Sequence, residues 1–198
     1  MGIISSSPAQ DRELVIRLQA GDLEALGDLY DRHRQMVYRT ALAVTSDESA
    51  AADLLQDTFL RLNRFAHRID PQRPLGPWLY RVTTNLAYTW IKRRKRSWRA
   101  LKDLAEWLSR ERSHSSESSL RINEEWQIVQ QAVAALPIAQ RVVIVSYYLN
   151  DMSVQEISKT LGIPVGTVKS RLHYGRQSLK KKLGLQKDFA KEVLYELS

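Results

Sequence analysis

The chain has 198 residues, with 30 Lys and Arg against 22 Asp and Glu, a formal charge of +8. That length holds one domain or two small ones, and 43% hydrophobic residues suit globular cores rather than a disordered chain. The lack of any cysteine excludes a disulfide framework, a cysteine-ligated zinc, an iron–sulfur cluster and a cysteine nucleophile.

Helical periodicity dominates from the start. Leu26, Leu29, Tyr30, His33 and Val37 fall on one amphipathic stripe. Leu54, Leu55, Thr58, Phe59, Leu62, Phe65, Ala66 and Ile69 trace a second and longer one. Trp78, Leu79, Val82, Leu86 and Trp90 trace a third, which runs into a basic block. Pro71, Pro74 and Pro77 are expected to separate the second helix from the third and to lie inside neither. Ser109, Ser113, Ser115, Ser116, Ser118 and Ser119 mark 109–123 as a flexible connection. Arg141–Leu149 is rich in β-branched residues yet also fits helical spacing. No convincing alternating strand pattern occurs, so the fold class is all-α. The sequence predicts two small helical domains, 11–100 and 124–184, joined by a flexible linker within 101–123. An extension, 185–198, carries Phe189, Val193, Leu194 and Leu197 on one helical side.

The most specific local pattern lies in 151–184. Ser153-Val154-Gln155-Glu156 has the form of a capping box, in which serine and glutamate satisfy each other's backbone N–H groups. Gly162 supplies a left-handed stop and Pro164 a new start. The next helix has Val168, Leu172, Leu179 and Leu183 on one side and Lys169, Ser170, Arg171, His173, Tyr174 and Arg176 on the other. Two helices around a short turn, the second basic on its outer face, form a DNA-reading helix-turn-helix. Gly175 lies mid-helix, where glycine costs about 1 kcal/mol relative to alanine. It either allows close approach of DNA or of an earlier helix, or is simply tolerated.

The charge is segregated. Residues 1–90 carry 10 basic and 11 acidic groups, whereas 91–102 carry seven basic groups and no acid. Residues 164–187 again carry seven basic groups and no acid. A single such block is often a solvated helix face, but two of like sign favour a polyanionic partner. Trp90 and Trp98 flank or interrupt the first block, either to stack on unpaired bases or to pack on the helix.

Several functions lack their residues. None of the 8 glycines falls in a GxGxxG or Walker-type phosphate loop. His33, His67, His114 and His173 are isolated, with no metal-binding spacing, so neither a metal nor a cofactor is expected. No apolar run approaches the roughly 18 residues that span a bilayer, and the start has no basic flank of a secretory signal. A cytoplasmic protein with no membrane insertion is the expectation. A DNA-processing enzyme would need a catalytic constellation that is not recognisable. A stand-alone repressor would account for 151–184 and leave the helices at Asp53–Phe59 and Trp78–Arg96 unexplained.

Gly162-Ile163-Pro164-Val165-Gly166-Thr167-Val168-Lys169-Ser170-Arg171-Leu172 resembles the region-four signature of bacterial sigma factors, and Leu136-Pro137-x-x-x-Arg141 is similar to the segment opening that region. Asp53-Leu54-Leu55-Gln56-Asp57-Thr58-Phe59 resembles the region-two helix that binds the polymerase clamp. Pro77–Ala87 with the basic block resembles the helix that reads and melts the minus-ten element. The resemblance covers about 20–184 and leaves no room for region one or a full region three. It therefore points to the extracytoplasmic-function group (group IV).

The resemblance implies a transcription initiation factor that performs no covalent chemistry, with core RNA polymerase, promoter DNA and an anti-sigma factor as partners. By it, Asp53, Gln56 and Asp57 contact polymerase. Trp78, Asn85, Lys92, Arg93 and Arg94 handle the minus-ten element, and the loop 67–74 receives a flipped base. Lys169, Ser170, His173 and Tyr174 read the minus-thirty-five element, with Arg171 and Arg176 nearby. Thr89, and Tyr174-Gly175, depart from the family's pattern.

Overall fold

The computed structural model describes residues 8–108 and 124–183, with side chains described for 9–94 and 128–183. Among them every regular element is helical: α1 (Pro8–Gln19), α2 (Leu23–Thr45), α3 (Glu48–Phe65), a 3-10 turn (Ala66–Arg68), α4 (Leu75–Leu108), α5 (Glu124–Ala134), α6 (Ile138–Tyr148), α7 (Val154–Leu161) and α8 (Val165–Leu183). The serine-rich 109–123, the extension 185–198, and the side chains of Trp98, Lys95, Arg96, Arg99 and Lys102 lie outside the described residues.

Apolar stripes explain the first four helices. Val15 and Leu18 of α1, Leu29 and Val37 of α2, Phe59 and Leu62 of α3, and Leu75 and Leu79 of α4 meet in one core. Aspartates set the starts of α2 and α3: Asp22 accepts from the Glu24 N–H at 2.9 Å, and Asp47 from the Ala50 N–H at 2.9 Å. Helix α1 was not anticipated; its stripe of Leu14, Val15 and Leu18 is only one turn long. It is also held by polar contacts. Asp11, buried, accepts from Arg32 Nε at 3.0 Å and lies 2.9 Å from His33 Nε2.

Burial alone would raise the Asp11 carboxyl, but hydrogen bonds and charge from His33 and Arg32 outweigh it and hold it below its usual value. A depressed folded-state value gives stability that is present above the ordinary carboxylate range and lost as pH falls through the folded value. Acidification below about pH 4 is thus expected to loosen α1 first, seen as accelerated amide exchange over 9–19. Asp11→Ala should remove that part of the acid profile.

Three expectations are corrected. The second stripe does not continue as one helix: α3 stops at Phe65, and Ala66–Ile69 turn away through the 3-10 segment. Gln19 Nε2 clasps that turn, donating to the Ala66 and Ile69 carbonyls at 3.0 and 2.8 Å. Pro77 lies inside α4, in its first turn, where backbone N–H groups have no intrahelical partner to lose. Residues 101–108, read as the start of the linker, continue α4.

The second half is a four-helix unit whose core joins Leu136, Val143, Ile144, Ile157, Val168, Leu172 and Leu179. The capping box is formed: the Ser153 N–H donates to Glu156 Oε2 at 2.8 Å and the Glu156 N–H to Ser153 Oγ at 3.2 Å. Those bonds hold the Glu156 carboxyl below its usual value. Gly162 ends α7 at φ 66°. Gly175 is explained by an earlier helix rather than by DNA. A Cβ there would stand 2.9 Å from Ile144 Cγ1, so the missing side chain lets α8 lie directly on α6.

The two halves are packed on each other. Val142 and Val145 of α6 share a core with Ala41 and Val44 of α2, Leu54 of α3, and Ala87 and Ile91 of α4. Tyr80 of α4 is fully buried in the core of the second unit, its hydroxyl 2.6 Å from Ser146 Oγ and 3.1 Å from the Val142 carbonyl oxygen. Arg141 donates to the Val44 carbonyl at 2.5 Å, and also to the carbonyls of Ala134 and Leu136. Thr40 and Asn150 add a contact at 3.3 Å.

Candidate nucleic-acid interface

Helix α8 buries Val168, Leu172, Gly175 and Leu179. This turns Lys169, Ser170, His173, Tyr174 and Arg176 outward, with Arg171 half-buried. Tyr174 is 57% exposed, and its ring meets that of His173 edge-on at 5.3 Å. These groups do not all remain unengaged. Ser170 Oγ donates back to the Gly166 carbonyl at 2.9 Å, and His173 Nε2 lies 3.1 Å from Gln177 Nε2. Arg176 donates to the Tyr148 hydroxyl at 2.8 Å and stacks over Tyr147 and Tyr148. Its guanidinium is thus held in place by α6 while remaining at the surface. A major groove admits such a helix, with Lys and His able to reach base edges or phosphates.

The exposed edge of α4 presents a second set. Asn85 and Lys92 lie outward on the same side, and the spacing i, i+3, i+7 adds Tyr88, which sequence reasoning passed over. Lys92 Nζ sits 4.6 Å from the Tyr88 ring centroid. Arg81, one turn before Asn85, is also exposed; its Nη2 comes within 3.9 Å of the position a Cβ on Gly162 would take. The signal for both was the helical repeat counted from Asn85. Arg93 is exposed. Arg94 pairs with Asp47 Oδ2 at 2.7 Å and stacks on Trp90, which is half-buried. Trp78 is half-buried against the first core. The loop 67–74 is exposed except for Ile69 and Pro71, and is stiffened by Asp70, which accepts from the Gln72 N–H and pairs with Arg73.

A third surface faces elsewhere. Asp53, Gln56 and Asp57 are exposed on one side of α3, opposite its buried Leu54, Thr58 and Phe59. Leu60, one turn on, continues that side and is 65% exposed. It was missed because an apolar residue in an amphipathic helix reads as core. A side chain of that size left in water beside two carboxylates suits a mixed protein interface. Among the described residues no three metal-ligating side chains cluster, and no helix is long and apolar enough to cross a membrane.

Comparison with known proteins agrees with this geometry. Residues 29–97 match Sigma-70 region 2, and residues 126–179 match Sigma-70, region 4. ECF RNA polymerase sigma factor SigW of Bacillus subtilis (strain 168) is 30% identical over 179 residues, covering 87% of this chain and 96% of that protein. Among solved structures, CnrH in complex with the cytosolic domain of CnrY superposes with a TM-score of 0.64 at 25% identity, covering 88% of this chain and 97% of that one. The sigma factor RpoE in complex with the anti-sigma factor NepR, from Bartonella quintana, has a TM-score of 0.63 at 20% identity, covering 85% and 98%, and shares the fold. With α3, α4 and α8 arranged as described, and with relatives of this kind along nearly the whole chain, the protein belongs to the extracytoplasmic-function RNA polymerase sigma factors and is a transcription initiation factor.

Proposed function

We propose that this sigma factor, of group IV, divides its work between two units, 11–100 and 124–184. The first unit docks on core polymerase through Asp53, Gln56, Asp57 and Leu60. It reads and helps melt the minus-ten element through Trp78, Asn85, Tyr88 and Lys92–Arg94. The second reads the minus-thirty-five element through Lys169, Ser170, His173 and Tyr174, with Arg171 and Arg176 beside them. The observation that carries this reading is the two-sidedness of α8: one face closes the core, and the other presents a base-reading set with no acid among it. The protein would act in the cytoplasm, where polymerase and DNA are. An anti-sigma partner is supported by RpoE, a protein of this fold solved with one.

Run-off transcription with sigma-free core polymerase on a promoter library tests the reading. The chain is expected to create discrete new starts preceded by two shared sequence elements. Lys169→Ala should weaken initiation roughly 5- to 150-fold, the range of about 1–3 kcal/mol for a base-reading contact. Absence of new starts, with salt-sensitive DNA binding retained, would instead favour a stand-alone regulator.

A further inference from the structure

Lys169, His173 and Arg176 form one exposed stripe of α8, at i, i+4 and i+7. A second helix holds the last of them. Arg176 Nε donates to the Tyr148 hydroxyl at 2.8 Å, and its guanidinium lies 5.1 Å from the Tyr147 ring centroid and 5.5 Å from that of Tyr148. The two rings meet edge-on at 5.0 Å and pack, half-buried, against the core of the second unit. They form a fixed corner rather than two swinging side chains. Gly175 sets the distance to that corner. The Cβ it lacks would strike Ile144 Cγ1 at 2.9 Å, and Ile144 stands one turn before Tyr148 on α6. A side chain at 175 would push α8 from α6 and carry Arg176 off the tyrosines.

The groups that hold Arg176 are neutral. Among the described residues no carboxylate pairs with it. A hydroxyl and two aromatic rings fix a guanidinium without cancelling its charge. With Nε engaged, the terminal amino groups remain as a fork, and such a planar fork matches two oxygens of a phosphate. Recognition helices meet base edges with their N-terminal residues. Arg176 lies seven residues beyond Lys169, a rise of about 10 Å. That is close to the roughly 12 Å width of the major groove, which places Arg176 at the phosphate strand bounding the groove.

We propose that Tyr147 and Tyr148 are positioning residues of the minus-thirty-five contact, holding Arg176 so that its amino groups clasp one DNA phosphate and fix the register of α8. Phosphate contacts set orientation, and base contacts then specify. Holding the side chain in place before binding spares the entropy of ordering it on the DNA. This role rests on the reading of α8 as a DNA-binding helix.

Binding of the full chain to a short duplex of mixed sequence, titrated with salt, tests it, because phosphates supply nearly all non-specific affinity. Arg176→Ala is expected to lower the slope of log K against log salt by about 0.9, the share of one phosphate. Tyr148→Phe leaves the charge in place, so it should keep the slope and weaken binding roughly 2- to 10-fold. In an Arg176→Ala background the same change should do nothing. Equal weakening in both backgrounds, or none in either, would overturn the positioning role, since a tyrosine acting only through the fold does not need Arg176. An unchanged slope in Arg176→Ala, with Lys169→Ala still weakening binding, would overturn the phosphate contact and leave α8 as the reading helix. If Lys169→Ala were also without effect, the DNA-binding reading of α8 would fall together with the clasp.

Discussion

Tyr80→Ala is expected to be among the most destabilising single substitutions in the chain, costing about 3–5 kcal/mol. The ring belongs to a helix of the first unit, yet is fully buried in the core of the second, so its loss opens a cavity at the joint. Its hydroxyl is a smaller part of the effect. Burial raises that hydroxyl's pKa well above the usual tyrosine value, so it stays a neutral donor to Ser146 or Val142. Tyr80→Phe should therefore cost only about 1 kcal/mol. Thermal unfolding distinguishes the two: at 2–4 °C per kcal/mol, the alanine variant should melt about 6–20 °C lower. Equal melting of the two variants would mean that the ring does not hold the units together.

The second large effect is expected on binding, with stability unchanged. Leu60→Asp places a third carboxylate beside Asp53 and Asp57 and removes the apolar centre of the α3 face. Because Leu60 is exposed, the fold loses nothing, and the melting temperature should stay within a degree or two. An interface anchor costs about 2 kcal/mol or more when removed, so affinity for core polymerase should fall by roughly 30-fold or beyond. Titration of labelled protein with core enzyme reads this directly. Unchanged affinity would remove α3 from the polymerase-binding surface.

What the sequence made legible follows from range. The stripes of α2 and α4, the capping box at Ser153 and the glycine stop at 162 depend on neighbours within a few residues, and each is found as expected; the stripe of α3 is found only as far as Phe65. Pro77 was misplaced because a helix's first turn tolerates what its interior rejects. Gly175 was undecidable because its reason, Ile144, lies 31 residues away on another helix. The packing of the two units was wholly illegible: it rests on Tyr80 with Ser146, Arg141 with Val44, and Thr40 with Asn150, 66, 97 and 110 residues apart. The outward residues of α8 were legible because a basic face opposite an apolar one is itself periodic. Leu60 was not, because periodicity alone reads an apolar side chain as buried.

Among the described residues, Arg141 joins the units without any carboxylate among its acceptors. Its acceptors are the carbonyl oxygens at the end of α2 and at and just beyond the end of α5, where backbone oxygens lack helical partners and helix dipoles are negative. Burial pushes the guanidinium's pKa down from its usual value, but an arginine stays charged well beyond physiological pH. Main-chain oxygens cannot be mutated away. Sequence drift at positions 44, 134 and 136 therefore leaves this joint intact as long as the two helices end where they do. Its whole evolutionary vulnerability is concentrated in one side chain, so a lineage can rewrite the exposed faces of α3, α4 and α8 while this joint stays fixed.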